Sequence, residues 1–172
     1  ILADDPHRSH AVPSLRYVAH LNGPGINVIG AGEPALPGIS IGHNDKIAFG
    51  LTIFPIDQED LYVYEKTRDG YLYRGDVEPF TEIEESIAIK GGKTQTVTLK
   101  FTRHGPVVAE TKKHAFVVRA AWLEPGMAPY FGSIEYVCAE NFREFVGALN
   151  RWGAPSENQV YADTDGNIGY KP

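Results

Sequence analysis

The sequence predicts an α+β fold dominated by antiparallel strands, with one clear amphipathic helix near residues 141-152. Three observations predict it. Short apolar runs punctuated by glycine and proline fill the first sixty or so residues. A long stretch of period-two alternation lies between Thr81 and Arg103. A 3.6-residue apolar period occurs near the end of the chain, from Phe142 to Trp152.

The elements follow in order. Leu15 to Leu21, Ile26 to Ile29, Gly38 to Ile41 and Lys46 to Thr52 read as short strands. Gly23-Pro24-Gly25, Gly30-Ala31-Gly32 and Pro37-Gly38 supply the turns. Asp60 to Tyr64 is a further strand. Ile83, Glu85, Ile87 and Ile89 share one parity, and Val97, Leu99 and Phe101 alternate with Thr96, Thr98 and Lys100. Gly91-Gly92 permits the positive φ of a connecting loop, so a half-buried antiparallel hairpin is expected. Val107 to Glu110 and Ala115 to Trp122 continue the strands. Ala128 to Cys138 fits helix or strand. Phe142, Phe145, Val146, Leu149 and Trp152 line one helical face. Asn141 stands at the N-cap with Glu144 three residues later, as in a capping box, and Gly153 and Pro155 stop the helix. Val160 to Ala162 and Ile168 to Tyr170 close the chain as strands. The turn Asp163-Thr164-Asp165-Gly166-Asn167 joins them. It resembles the start of an EF-hand loop without the glutamate at position twelve or flanking helices.

Composition narrows the function. Hydrophobic residues make up 42% and charged residues 22% of 172 residues, which is globular and not disordered. The net charge is −6 and no basic run or stripe is present, which excludes a nucleic-acid partner of the ordinary electrostatic kind. No apolar run approaches the eighteen or so residues of a helical membrane span. Cys138 is the lone cysteine, so no internal disulfide forms.

Two clusters carry candidate chemistry. Asp5, His7 and His10 sit in a proline-bearing loop at the start of the chain. They read as a metal-dependent hydrolase site, as a catalytic histidine with its neighbours, or as plain surface loop. Asp57, Glu59 and Asp60 crowd carboxylates before a strand. They read as an acidic turn or as hard oxygen ligands for calcium. His43-Asn44 and Arg103-His104-Gly105 lie at strand ends, and His104 reads as a conformational requirement rather than a ligand. No nucleophile elbow, phosphate loop or dinucleotide fingerprint is present.

Eight phrases then line up in order. Ala3-Asp4-Asp5-Pro6-His7, Asn22-Gly23-Pro24-Gly25-Ile26-Asn27-Val28, Leu36-Pro37-Gly38-Ile39-Ser40-Ile41-Gly42-His43-Asn44 and Ile47-Ala48-Phe49-Gly50-Leu51-Thr52 come first. Asp57-Gln58-Glu59-Asp60-Leu61-Tyr62, Thr102-Arg103-His104-Gly105-Pro106-Val107, Asn141-Phe142-Arg143-Glu144-Phe145 and Tyr161-Ala162-Asp163-Thr164-Asp165-Gly166-Asn167-Ile168-Gly169-Tyr170 follow. Together they resemble the penicillin amidase (penicillin acylase) family across essentially the whole chain. The resemblance implies an N-terminal-nucleophile hydrolase with a four-layer αββα sandwich. Such enzymes cleave linear amides, among them penicillins, cephalosporin derivatives and acyl-homoserine lactones. A self-cleaved precursor yields an α-chain and a β-chain, and the first Ser of the β-chain is the nucleophile.

The resemblance makes residues 1-172 a single incomplete domain, a segment of the β-chain. The family's nucleophilic Ser lies upstream of the Asn-Asp-Pro-His phrase, and the Asn completing the oxyanion hole lies downstream of the last phrase. Ser9, Ser14 and Ser40 match no nucleophile position. The chain alone is therefore expected to be inactive. His7 is expected to hydrogen-bond near that serine and help move its proton. Ile53 matches the residue whose backbone N–H is the first oxyanion donor, worth roughly 3–4 kcal/mol in the transition state. Asp57, the carbonyl of Glu59, and Asp60 match structural calcium ligands. Asp4 departs from the family's Asn, adding a carboxylate that can act on a nearby histidine. By analogy the whole protein is periplasmic or secreted and serves antibiotic or acyl-amide metabolism. Surfaces meant for missing layers predict self-association. A β-rich binding module without chemistry is the remaining alternative.

Overall fold

A computed structural model describes residues 1-34, 36-127 and 131-172; of Phe131 only the backbone is described. In chain order the elements are β1 (Tyr17–Gly23), β2 (Ile26–Gly32), β3 (Ile41–His43), β4 (Ile47–Ile53), β5 (Glu59–Glu65), β6 (Tyr71–Tyr73), β7 (Asp76–Glu78), β8 (Thr81–Ile87), β9 (Gln95–Thr102), β10 (Gly105–Glu110) and β11 (His114–Ala120). A 3-10 turn (Ala121–Leu123) follows, then α1 (Phe131–Tyr136), α2 (Phe142–Leu149), β12 (Glu157–Asp163) and β13 (Ile168–Lys171). The expected α+β class, rich in antiparallel strands, is the one observed. The chain divides into two compact units, Ile1–Asp57 with Pro125–Pro172, and Gln58–Glu124.

The first unit is a six-stranded antiparallel sheet in the order β1-β2-β3-β4-β12-β13. One face is covered by α1 and α2. Phe49 of β4 and Tyr161 of β12 are cross-strand partners and meet Tyr136 and Phe145 from the helices. Val28, Ile39, Ile47 and Leu149 complete this core. The capping box forms, in a variant register. The Asn141 side chain accepts the Glu144 N–H at 3.1 Å, while the Glu144 carboxylate takes the N–H of Glu140 at 2.9 Å and the Asn141 side-chain amide at 2.8 Å. Those bonds, the Glu140 N–H first, hold the Glu144 carboxyl below its ordinary pKa. The helix ends at Leu149, three residues before Trp152, whose indole donates to the Pro155 carbonyl at 2.7 Å. Of the ambiguous segment, Ala128 to Tyr130 lie outside the described residues, and the remainder is the short α1 followed by a turn at Val137 and Cys138.

Asn44 shows why a strand-turn-strand phrase ends in that residue. Its side-chain oxygen Oδ1 accepts the N–H groups of Lys46 and Ile47, closing the turn between β3 and β4. Its amide donates to the carbonyls of Val137 and Ala139, tying the turn to the end of α1. The strand expected at Gly38 to Ile41 lies instead at Ile41–His43. Gly38 has φ +92, and Ile39 turns into the core at 0% exposure, so regular pairing begins only after them.

The second unit is a five-stranded antiparallel sheet in the order β5-β11-β10-β9-β8, with the small β6-β7 hairpin beside it. Its core gathers Tyr64, Tyr71 and Val117, with Tyr62, Tyr73, Phe80 and Val107 packed against them. The expected antiparallel hairpin of β8 and β9 forms, with Ile83 opposite Leu99 and Glu85 opposite Val97. Its apolar face is not half-buried: Ile83, Ile87 and Leu99 are all exposed. The pairing of Pro106 with Phe101 gives the physical reason. It places Val107, a core contact, on the face of Lys100, and leaves Leu99 and Ile83 on the other. His104 packs against Tyr62, Tyr64 and Tyr73, and its ring nitrogen meets the Tyr64 hydroxyl. Burial, then the charge of Arg103, holds His104 below its ordinary pKa. The conformational requirement belongs to Gly105, at φ +146, where a Cβ would stand 2.1 Å from the Val118 carbonyl oxygen.

Candidate active site

The site expected from the sequence is built around the end of β4. Backbone N–H groups alternate direction along an antiparallel strand. The N–H of Phe54 points to the β12 side, where the Ser156 carbonyl accepts it at 3.2 Å. The N–H groups of Leu51 and Ile53 therefore point the other way, toward the β3 side. Pairing with β3 ends at Phe49, opposite Gly42, so both N–H groups lie past the ladder. Asp4 takes the first of them: its Oδ2 accepts the Leu51 N–H at 3.1 Å. Gly50 makes room for this, since a Cβ there would stand 2.8 Å from the same oxygen. Two residues on, the Ile53 N–H is directed to the same side of the strand.

Other side chains support Ile53. Asn158, on β12 opposite Thr52, donates to the Ile53 carbonyl at 3.0 Å and to the Thr52 hydroxyl at 3.3 Å. Tyr170 on β13 donates to the Asn158 carbonyl oxygen. Asn158 thus holds the residues on both sides of the Thr52–Ile53 peptide, while Asp4 holds the strand two residues earlier, at Leu51.

A cavity of about 290 Å³ borders this strand end, and Asp5, His7, Arg8, Thr52, Ile53 and Glu157 are among its walls. His7 and Ile53 are thereby brought to one cavity. The carboxylate beside His7 is Asp5, with Nε2 and Oδ2 3.2 Å apart. Asp4, the extra acid, is occupied with Leu51 instead. Both His7 and Asp5 are highly exposed, so their pairing holds the ring only loosely. His10 lines a neighbouring cavity rather than this one. Among the described residues, no group of three His, Cys, Asp or Glu side chains is placed to hold a metal ion.

Asp57, Glu59 and Asp60 are all exposed. Asp57 follows β4, while Glu59 and Asp60 open β5 and pair with Ala120 and Arg119. Two carboxylates and one carbonyl are the right kind of donor for calcium. They are too few by themselves, since calcium takes six to eight oxygens.

Sequence reasoning missed Glu157. It is buried, and burial, then the charge of Glu33, pushes its carboxyl up to about 7. A single Glu opening a strand has no pattern in sequence to mark it. The roles of Asp4 and Asn158 were missed for the same reason: each depends on a partner distant in the chain.

Comparison with known proteins identifies the family. The penicillin amidase family model matches residues 1–172. The chain is 30% identical to a penicillin acylase 2 proenzyme of Pseudomonas sp. (strain SE83), over 99% of this chain and 23% of that protein. It is 29% identical to penicillin G acylase of Escherichia coli, over 99% of this chain and 21% of that one. A solved structure of a thermostable penicillin G acylase from Alcaligenes faecalis superimposes with a TM-score of 0.83 at 29% identity, over 97% of this chain and 31% of that one. The chain thus spans under a quarter of the length of these two curated relatives. Among the described residues no helix is long and apolar enough to cross a membrane. With residues 1–172 all matched by the family model, the chain belongs to the penicillin amidase family.

Proposed function

We propose that this chain is part of a hydrolase that cleaves a linear amide between an acyl group and an amine, with the nucleophilic Ser contributed by sequence outside these 172 residues. The observation that carries the proposal is the convergence of His7 and the Ile53 peptide on one cavity. In the reaction, the Ser hydroxyl attacks the amide carbonyl and its proton passes to a base. The carbonyl oxygen gains negative charge and accepts the Ile53 N–H. The leaving amine takes up the proton, and water then releases the acyl group. His7 hydrogen-bonds near the serine and helps move that proton. Asn158, bonded to the Thr52 hydroxyl and the Ile53 carbonyl, positions the donor peptide. The substrate class is that of the family, the acyl side chain of a β-lactam or a related N-acyl compound.

The 172-residue chain alone is inactive on this account. A second chain of the same precursor is its partner, and the periplasm or the exterior its location. The exposed apolar face at Ile83, Ile87 and Leu99 favours self-association of the isolated chain. Asp57, Asp60 and the Glu59 carbonyl take calcium in company with oxygen donors from elsewhere.

Covalent labelling tests the nucleophile. Treating the longer protein with phenylmethylsulfonyl fluoride is expected to label one Ser outside these residues and to abolish turnover. Inactivating label on Ser9, Ser14 or Ser40 would contradict the proposal.

A further inference from the structure

The cavity beside His7 and Ile53 holds charged groups that amide cleavage does not use. Glu157 is the cross-strand partner of Ile53, so the two side chains share one face of the sheet. It lines the cavity at 7% exposure, and its Oε2 has no hydrogen-bond partner. Arg16 lines the same cavity. One of its terminal nitrogens reaches Glu33 at 2.8 Å, while Nε and Nη1 are buried without partners. An aryl or alkyl group seated here would seal an unpaired carboxyl and unpaired guanidinium N–H groups from water, which is costly. A group that both donates and accepts hydrogen bonds would satisfy them. A plain carboxylate satisfies the arginine but meets the acid only while Glu157 is protonated, and an ammonium satisfies only the acid.

Resting on the reading of this site as that of an amide hydrolase, we propose that Glu157 is a specificity-determining residue that selects an acyl group ending in a primary carboxamide. The carboxamide NH₂ donates to Glu157 and its oxygen accepts from Arg16. With its carboxyl pushed up to about 7, Glu157 stays an acceptor through its carbonyl oxygen when protonated. Selectivity follows because the apolar isostere leaves these buried groups unpaired.

The test uses the longer protein that contains this chain and two p-nitroanilides of similar shape, succinamoyl and 4-methylpentanoyl. The expected result is a kcat/KM at least about tenfold higher for the succinamoyl compound. Glu157→Leu should reverse the order, and Glu157→Gln, which keeps the shape and the hydrogen bonding, should preserve it. A wild-type preference for the 4-methylpentanoyl compound, or an unchanged ratio in Glu157→Leu, overturns the inference while leaving the amide hydrolase reading intact. If neither these compounds nor a phenylacetyl anilide is cleaved, the hydrolase reading falls and this inference with it.

Discussion

Replacing Ile53 with proline in the longer protein is expected to lower kcat by about 100-fold to 1,000-fold, with KM little changed. Proline has no N–H, so the substitution deletes the proposed oxyanion donor and almost nothing else. Loss of such a donor costs about 2.7–4 kcal/mol of transition-state stabilisation. The N–H in question lies past the β3–β4 ladder, so its removal breaks no strand pairing. Ile53 is 63% exposed, so loss of its side chain removes little packing. Thr52 precedes it in extended backbone, the conformation a following proline demands. A melting temperature within a few degrees of the parent shows that the fold is kept. Ile53→Val, which retains the N–H, should retain turnover. Full activity in the proline variant would remove Ile53 from the mechanism.

Glu157 is expected to make the isolated chain less stable as pH rises. The folded carboxyl titrates at about 7 against an ordinary 4.5, because burial and Glu33 disfavour its charged form. Below pH 4.5 both states hold the proton and the group has no effect. Between 4.5 and 7 the unfolded chain releases the proton while the folded chain keeps it, so stability falls as pH rises. Above 7 both states are ionised and the full penalty remains. At about 1.4 kcal/mol per pH unit, the interval from 4.5 to about 7 amounts to roughly 3 kcal/mol. Urea unfolding of the parent and of Glu157→Gln at pH 5 and pH 8 reads this directly. The variant should gain on the parent by roughly 3 kcal/mol between the two pH values. Equal pH dependence in both proteins would show that Glu157 is solvated.

Much of the fold was legible because its elements repeat a simple period. The β8–β9 hairpin announced itself by alternation, α2 by a 3.6-residue apolar stripe with Asn141 at its cap, and the last hairpin by Asp165-Gly166. There, Asp163 Oδ1 accepts the N–H groups of Asp165 and Asn167, and Gly166 has φ +88. The misses have physical causes. β6 and β7 are three residues each, too short for a period to show, and Tyr71 is held by tertiary contacts: its hydroxyl donates to Glu78 and accepts the Arg103 N–H. β3 was displaced because Gly38-Ile39-Ser40 has strand-like residues but a left-handed glycine, while Gly30 faces Gly42 at a crossing with no room for a Cβ.

The site was legible in part. His7 and Ile53 came from the resemblance of ordered phrases, and the fold brings both to one cavity. What alternation and spacing could not supply was chemistry created by burial. Glu157 becomes unusual only when β12 pairs it with Ile53 and encloses it. Asp4 matters because β3 ends early and leaves the Leu51 N–H to be met. The metal reading of Asp5, His7 and His10 gains no support, since His10 lines a different cavity from the other two.

This chain is expected to hold one part of an amide hydrolase site and to need the rest of the protein to act. Release of p-nitroaniline from acyl p-nitroanilides, measured side by side for the longer protein and the purified 172-residue chain, tests it most directly. The account predicts steady turnover by the longer protein and none above buffer by the isolated chain. Turnover by the isolated chain, or none by the longer protein on any acyl anilide, would contradict it.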